Sequence, residues 1–318
     1  MLEEAIAKSQ DILKTSLNKT GFGIDRLTGY LSTATGKGIR ARLLLICAMD
    51  KNGLIHDDAI KVAAAIEILH LASLVHDDVM DGATSRRGIA TLNSRFDSKT
   101  AVIVGDYLLS IAMRIVSDID YKRIETEKHA PFFPQISRML DSLTRGEYLQ
   151  HVNLGNVDIN MLTYFKIISG KTASIFYISC YLGSVLSGEQ IDQSKKLGRF
   201  GHSLGMAFQI VDDVKDYMWN QEKAGKNIES DLKNGVITLP AILAMKKNPN
   251  LKFLIKEAIA LKKDTENIVK MIKNSTSVKE TNQISYRYIE ICNNNLNNIC
   301  EIKKNNLSTI LDKIGGQV

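Results

Sequence analysis

Two aspartate clusters carry most of the chemistry available to this sequence. The first is His76-Asp77-Asp78-Val79-Met80-Asp81, and the second is Asp212-Asp213-Val214-Lys215-Asp216. Residues four apart on a helix share a face, so Asp77 projects with Asp81, and Asp212 with Asp216. Carboxylates side by side at the end of an apolar segment repel each other and lose hydration, and a cation between them relieves both costs. An all-oxygen donor set, completed by water, fits Mg²⁺ rather than zinc.

One D-D-x-x-D alone equally describes a solvated helix end. Two of them, each closing a long apolar stretch, are more specific. The pattern predicts two helix ends facing each other across one cavity. Asp77, Asp78, Asp81, Asp212, Asp213 and Asp216 would then surround a space where up to three Mg²⁺ ions meet a diphosphate. That arrangement suits ionisation of a C–O bond: metal charge stabilises the leaving diphosphate, and apolar walls keep water from the carbocation. His56-Asp57-Asp58 begins with the same three letters but lacks an acid four places on and an apolar helix before it. It reads as a helix start.

Basic residues stand in small groups beside glycines. Arg86 and Arg87 lie on a turn between Gly82 and Gly88, where adjacent arginines diverge and each can grip one of two phosphates. Lys37 and Arg40, in G-K-G-I-R, sit near a predicted helix N-terminus, which favours anions. Gly170-Lys171-Thr172 imitates the end of a P-loop, but that motif needs a glycine at position 165, where Phe165 stands, and a preceding strand. What remains is a lysine on a helix above the cavity. Lys223 and Lys226 follow the second cluster and read as a lid over a diphosphate. For each of these groups, a merely solvated surface charge is the plain alternative.

The elements that must position these residues are helices. Only four prolines occur in 318 residues, and no stretch keeps up apolar/polar alternation, whereas spacing by three and four recurs throughout. The spacing predicts helices over 3–18, 59–81, 99–116, 132–152, 160–187 and 190–218. The second of these is apolar almost all round, hence central. A Gly/Thr/Ser-rich loop precedes Lys37, a Lys/Gly-rich loop covers 219–235, and Thr238-Leu239-Pro240 opens a further helix. No linker or repeat appears, so residues 1–318 read as one all-α domain.

Composition excludes several classes. Hydrophobic residues make up 44%, aromatics only 6%, and the net charge of +6 is spread out. A nucleic-acid binder concentrates its basic residues beside aromatic platforms. The N-terminus, Met1-Leu2-Glu3-Glu4, is too acidic for a signal peptide. The longest run without charge, Thr172 to Gly188, is shorter than the roughly 20 residues of a membrane span. Cys47, Cys180, Cys292 and Cys300 form no C-x-x-C pair, so reduced thiols and a cytoplasmic location are expected.

Taken in order, G-K-x-x-R, L-H-L-A-S-L-V-H-D-D-V-M-D-G-A-T-S-R-R-G, V-G-D-Y-L, G-K-T-A-S, F-Q-I-V-D-D-V-K-D-Y and D-L-K-N-G-V-I-T-L-P resemble the trans-isoprenyl diphosphate synthase family from Gly36 to Pro240. The resemblance implies the isoprenoid synthase fold, a bundle of about ten core helices around a deep cavity, commonly a homodimer. It implies Asp77, Asp81 and Asp212 as main Mg²⁺ ligands, with Asp78, Asp213 and Asp216 in support. Arg86, Lys171, Thr172, Gln209 and Lys226 would hold an allylic diphosphate. Lys37, Arg40, His70 and Arg87 would hold isopentenyl diphosphate. In the mechanism the resemblance implies, the double bond of the latter attacks the allylic cation and the released diphosphate takes the proton, so no protein base would be required. His70 on an apolar helix is otherwise an ordinary core histidine. Thr35, Gly38 and Ala41 depart from the usual G-G-K-R-x-R-P motif, and Val236 stands where some relatives carry lysine.

Product length is set below the carboxylates. Ser73 and Ala72 lie four and five residues before Asp77, roughly 6–7.5 Å down the helix. An aromatic residue there closes the floor in short-chain members of the family. These small residues leave it open, which predicts a product beyond C15, of C30 or longer, with Leu69 and Ile66 as deeper candidates. Three alternatives make different demands. An HD-type metal phosphohydrolase would use His70, His76 and Asp77 and leave the second cluster idle. A terpene cyclase would replace that cluster with an Asn/Ser/Glu motif. A two-component synthase would need a small partner subunit.

Overall fold

The computed structural model describes residues 1–18, 23–32, 38–86, 88–120, 132–218, 232, 234–261 and 265–316. In chain order the helices are α1 (Leu2–Asn18), α2 (Asp25–Leu31), α3 (Ile39–Cys47), α4 (Asp57–Met80), α5 (Leu92–Arg95), α6 (Ser98–Ser117), α7 (Phe132–Val152), α8 (Met161–Ile168), α9 (Ser174–Leu186) and α10 (Ile191–Met218). They continue with α11 (Leu239–Lys247), α12 (Pro249–Leu261), α13 (Glu266–Lys273), α14 (Ser277–Asn295) and α15 (Glu301–Gly315). A π-helical turn, Ser169–Ala173, joins α8 to α9. Among the described residues the strands are a two-residue ribbon, β1 (Ser85–Arg86) and β2 (Ile89–Ala90), antiparallel with Arg86 opposite Ile89.

The chain divides into two compact units. Met1–Phe133, Ile178–Gly198 and Asn298–Leu307 make the first; Pro134–Tyr177, Arg199–Asn297 and Ser308–Val318 make the second. Most of the borders fall inside α7, α9, α10 and α15, so no linker marks them in the sequence.

In the first unit α4 is the axis. His56 caps it, with Nδ1 accepting from the Asp58 amide at 3.2 Å, and Asp57 and Asp58 place negative charge at the positive end of the helix dipole. The helix-start reading of His56-Asp57-Asp58 therefore holds. Val62, Ala63, Ala65, Ile66, Ile68 and Ala72 are sealed from solvent, and α6 is the most extensive partner of α4. Both α4 and α6 are long and apolar enough to cross a membrane by length and composition alone. In α4, however, 61% of that apolar stretch is inside the protein, as a core helix requires. Lys303 on α15 is 1% exposed and donates to Ser187 Oγ and Glu189 Oε1, both at 2.9 Å.

The second unit packs α8, α10, α11 and α12 around Ile167, Ile210, Val214, Leu239 and Ile255. Pro240 sits in the first turn of α11, where its missing N–H costs nothing. At one point α7 and the π-helical turn touch backbone to backbone. A Cβ on Gly170 would come within 2.5 Å of the Ser142 carbonyl oxygen, and one on Gly146 within 2.5 Å of the Lys171 amide nitrogen.

Candidate active site

The first cluster closes α4. Asp77 and Asp78 are buried, while Asp81 caps the helix exposed to solvent. Asp78 Oδ1 accepts from Arg86 Nε at 2.8 Å. Burial pushes the Asp78 carboxyl above its ordinary value even though Arg86 opposes this. Arg86 is thus anchored through Nε, which leaves the terminal guanidinium nitrogens for another anion. The ribbon holding Arg86 is pinned in turn: Tyr30 OH donates to the Ala90 carbonyl at 2.6 Å, and Thr91 Oγ1 to the Ala83 carbonyl at 2.6 Å. Arg87 lies outside the described residues.

Behind the cluster, His76 is pressed onto α6. Its Nε2 lies 3.3 Å from the Val102 carbonyl and 3.5 Å from Asp106. A Cβ at Gly105 would collide with the imidazole at 2.2 Å, which accounts for the glycine of V-G-D-Y-L. His70 is half-buried two turns below Asp77 on the same face of α4. Ser73 lies between them on that face, half-exposed, its hydroxyl bonded to the His70 carbonyl at 2.8 Å. Ala72 is fully buried. Of the two expected floor residues, only Ser73 is accessible.

At α3, Gly38 takes φ 61° as the N-cap, a left-handed conformation that disfavours arginine or any side chain with a Cβ. The departure from the usual motif thus has a backbone cause. The helix N-terminus expected to draw a substrate anion is partly served already, because Glu67 Oε1 accepts from the Ala41 amide at 2.9 Å. Arg40 is half-buried on the first turn of α3. Lys37 and Thr35 lie outside the described residues.

The second cluster lies near the end of α10. Asp212 and Asp216 are half-buried, and Asp213 is buried. Tyr164 OH donates to Asp213 Oδ2 at 2.6 Å, and Gln209 Nε2 donates to Asp213 Oδ1 at 2.9 Å. Thr172 Oγ1 donates to Gln209 Oε1 at 2.9 Å. Burial outweighs both hydrogen bonds and raises the Asp213 carboxyl to about 7. The π-helical turn carries Lys171, whose Nζ contacts Glu147 Oε1 at 2.9 Å and Oε2 at 2.8 Å. Both partners are half-buried. Lys223 and Lys226 lie outside the described residues, and Val236 is half-buried with its backbone in a loop.

The donor chemistry fits Mg²⁺. Asp77, Asp81, Asp212 and Asp216 offer only oxygen. Among the described residues no three His, Cys, Asp or Glu side chains converge enough to hold an ion by themselves. Mg²⁺ retains waters, completes its shell with substrate phosphate oxygens and takes as few as one or two carboxylates from a protein.

A family model described as polyprenyl synthetase matches residues 23–276. The chain belongs to the polyprenyl synthetase family.

Family members of known chain length resemble it closely. Heptaprenyl diphosphate synthase component 2 of Bacillus subtilis (strain 168) is 33% identical over 276 residues, covering 85% of this chain and 75% of that protein. Decaprenyl-diphosphate synthase of Dictyostelium discoideum is 30% identical over 288 residues, covering 91% of this chain and 60% of that protein. Heptaprenyl diphosphate synthase from Staphylococcus aureus superposes with a TM-score of 0.90 at 29% identity, covering 99% of this chain and 98% of that one. The polyprenyl synthase from Caulobacter crescentus CB15, solved with calcium and isoprenyl diphosphate, gives 0.87 at 27% identity over 99% and 96%. As a polyprenyl synthetase, this chain is a trans-prenyltransferase of isoprenoid biosynthesis with the isoprenoid synthase fold, and its family works with divalent metal ions. The phosphohydrolase alternative falls with this assignment, and the contacts of His76 with α6 agree.

Sequence reasoning missed Glu147, Glu67 and Tyr164. Tyr164 and Asp213 are 49 residues apart, a pairing that no local pattern announces.

Proposed function

We propose that this polyprenyl diphosphate synthase condenses isopentenyl diphosphate with an allylic diphosphate to give an all-trans product longer than C15, of C30 or more. The observation that carries the reading is the Asp78–Arg86 contact. It fixes a phosphate-binding guanidinium within a few residues of the acid pair Asp77 and Asp81. Lys171, Thr172 and Gln209 offer a second set of polar groups for the allylic diphosphate. Arg40 and His70, with Lys37 and Arg87, serve the isopentenyl diphosphate, and Lys226 serves the allylic one.

Asp77, Asp81, Asp212 and Asp216 would hold up to three Mg²⁺ ions, whose charge would stabilise the departing diphosphate. The C1–O bond of the primer breaks, and the isopentenyl double bond supplies the electrons of the new C–C bond. A proton leaves C2 of the added isopentenyl unit to the released diphosphate, which regenerates an allylic double bond. Ser73 leaves the wall below Asp77 open to a growing chain, and the heptaprenyl and decaprenyl relatives support a long product.

A homodimer in the cytoplasm is the simplest assembly. Because the Bacillus subtilis relative is a component 2, a small partner subunit is the second reading. The purified chain should be incubated with Mg²⁺, labelled isopentenyl diphosphate and farnesyl diphosphate, and the extract resolved by chain length. Polyprenyl products of C30 or more, lost with EDTA, are expected. Products no longer than C15 would overturn the length assignment. Inactivity with every allylic primer would favour the two-component form, tested next by co-purification.

A further inference from the structure

The family match and the aspartate clusters leave Tyr164 without a task, although it is among the most deeply set polar residues of the second unit. It is 3% exposed, lies on α8 outside every motif described above, and spends its hydroxyl on Asp213 at 2.6 Å. Asp213 Oδ1 receives the Gln209 carboxamide at 2.9 Å. With its nitrogen end turned to Asp213, the Gln209 amide points its oxygen end outward. The oxygen end is left to accept from Thr172 Oγ1 at 2.9 Å.

We propose that Tyr164 is a positioning residue for the allylic diphosphate, acting through Asp213 and Gln209 on Thr172, and that Asp213 serves this chain of hydrogen bonds rather than the metal. The inference rests on Thr172 and Gln209 contacting the allylic diphosphate, as proposed above. Asp212 and Asp216, half-buried on either side of Asp213, keep the metal. The arrangement has a direction, Tyr164 to Asp213, Gln209 to Asp213, Thr172 to Gln209, and each donor has one acceptor. Losing the first link lets Asp213 and the amide turn, and the Thr172 hydroxyl loses its fixed orientation.

The test is steady-state kinetics of Tyr164→Phe with both substrates varied. The expected result is a rise of about fivefold or more in KM for the allylic primer, the scale of one lost buried hydrogen bond, with KM for isopentenyl diphosphate unchanged. If both KM values stay at the wild-type level, or rise together, the proposal is wrong. A wild-type chain that transfers no prenyl group either alone or with a co-purified partner would instead defeat the functional reading itself. Should Tyr164→Phe not fold, Asp213→Asn and the pair Asp213→Asn with Gln209→Glu replace it. The asparagine amide reverses the Gln209 orientation, and the added glutamate restores an acceptor both for the N–H of that asparagine side chain and for Thr172. Rescue of the primer KM in the pair is expected, and a pair no better than Asp213→Asn alone overturns the proposal.

Discussion

Lys171 meets both carboxylate oxygens of Glu147, at 2.9 and 2.8 Å, across the contact of α7 with the π-helical turn. A π-turn inserts one residue into a helix and re-aims the side chains around it. Here it presents Lys171 to Glu147 and Thr172 to Gln209. A diphosphate that takes Lys171 must compete with Glu147. Glu147→Gln is therefore expected to lower KM for the allylic primer by about three- to tenfold, the worth of a partly exposed ion pair, while reducing thermal stability. Steady-state kinetics and a thermal melt check both.

Ser73 offers the wall position that Ala72 does not. Ser73→Phe should shorten the product, read as chain length after extraction. Ala72→Phe forces a ring into a sealed site and should cost about 1–3 kcal/mol of stability, measured by denaturant unfolding.

Gly146 and Gly170 fix where Lys171 stands. Alanine at either meets backbone atoms at 2.5 Å, which no side-chain rotation relieves. Gly170→Ala should destabilise the protein by about 1–3 kcal/mol and weaken primer binding by displacing Lys171. Unfolding curves and primer KM test the two effects together.

His202 is bonded to Ser169 Oγ at 2.9 Å, and burial holds its imidazole below the ordinary value of 6.5. Its neutral form is the one favoured by folding. The stability it contributes is present above the unfolded value of about 6.5 and is lost as pH falls through the lower folded value. Denaturant unfolding between pH 5 and 7.5 should lose stability on acidification, and His202→Gln should flatten that slope.

The long apolar helices were legible because burial and periodicity agree: 59–81, 99–116, 132–152 and 190–218 match α4, α6, α7 and α10 within two residues. The short α2 was hidden in a Gly/Thr-rich stretch. It is held by a tertiary contact, Thr28 Oγ1 to the Leu17 carbonyl at 2.5 Å, not by its own propensity. The π-turn was hidden for a similar reason, since backbone contact at Gly146 and Gly170 makes it. Of the site, the aspartates could be read because their i, i+4 spacing is local. Glu147 and Tyr164 could not, because each is defined by a partner on another helix.

Neither unit is complete before the residues from Asn298 onward have been made. The first needs Asn298–Leu307, including the buried Lys303 that binds Glu189, and the second needs the residues beyond them. An emerging chain therefore carries α4 and its apolar surface on the ribosome until Asn298–Leu307, the segment that finishes its unit, has been made. Folding that waits on contacts so distant in sequence is slow and exposes apolar surface. This enzyme should depend on chaperones during synthesis more than its helical content implies, and a ribosome stalled before residue 298 should display a protease-sensitive chain.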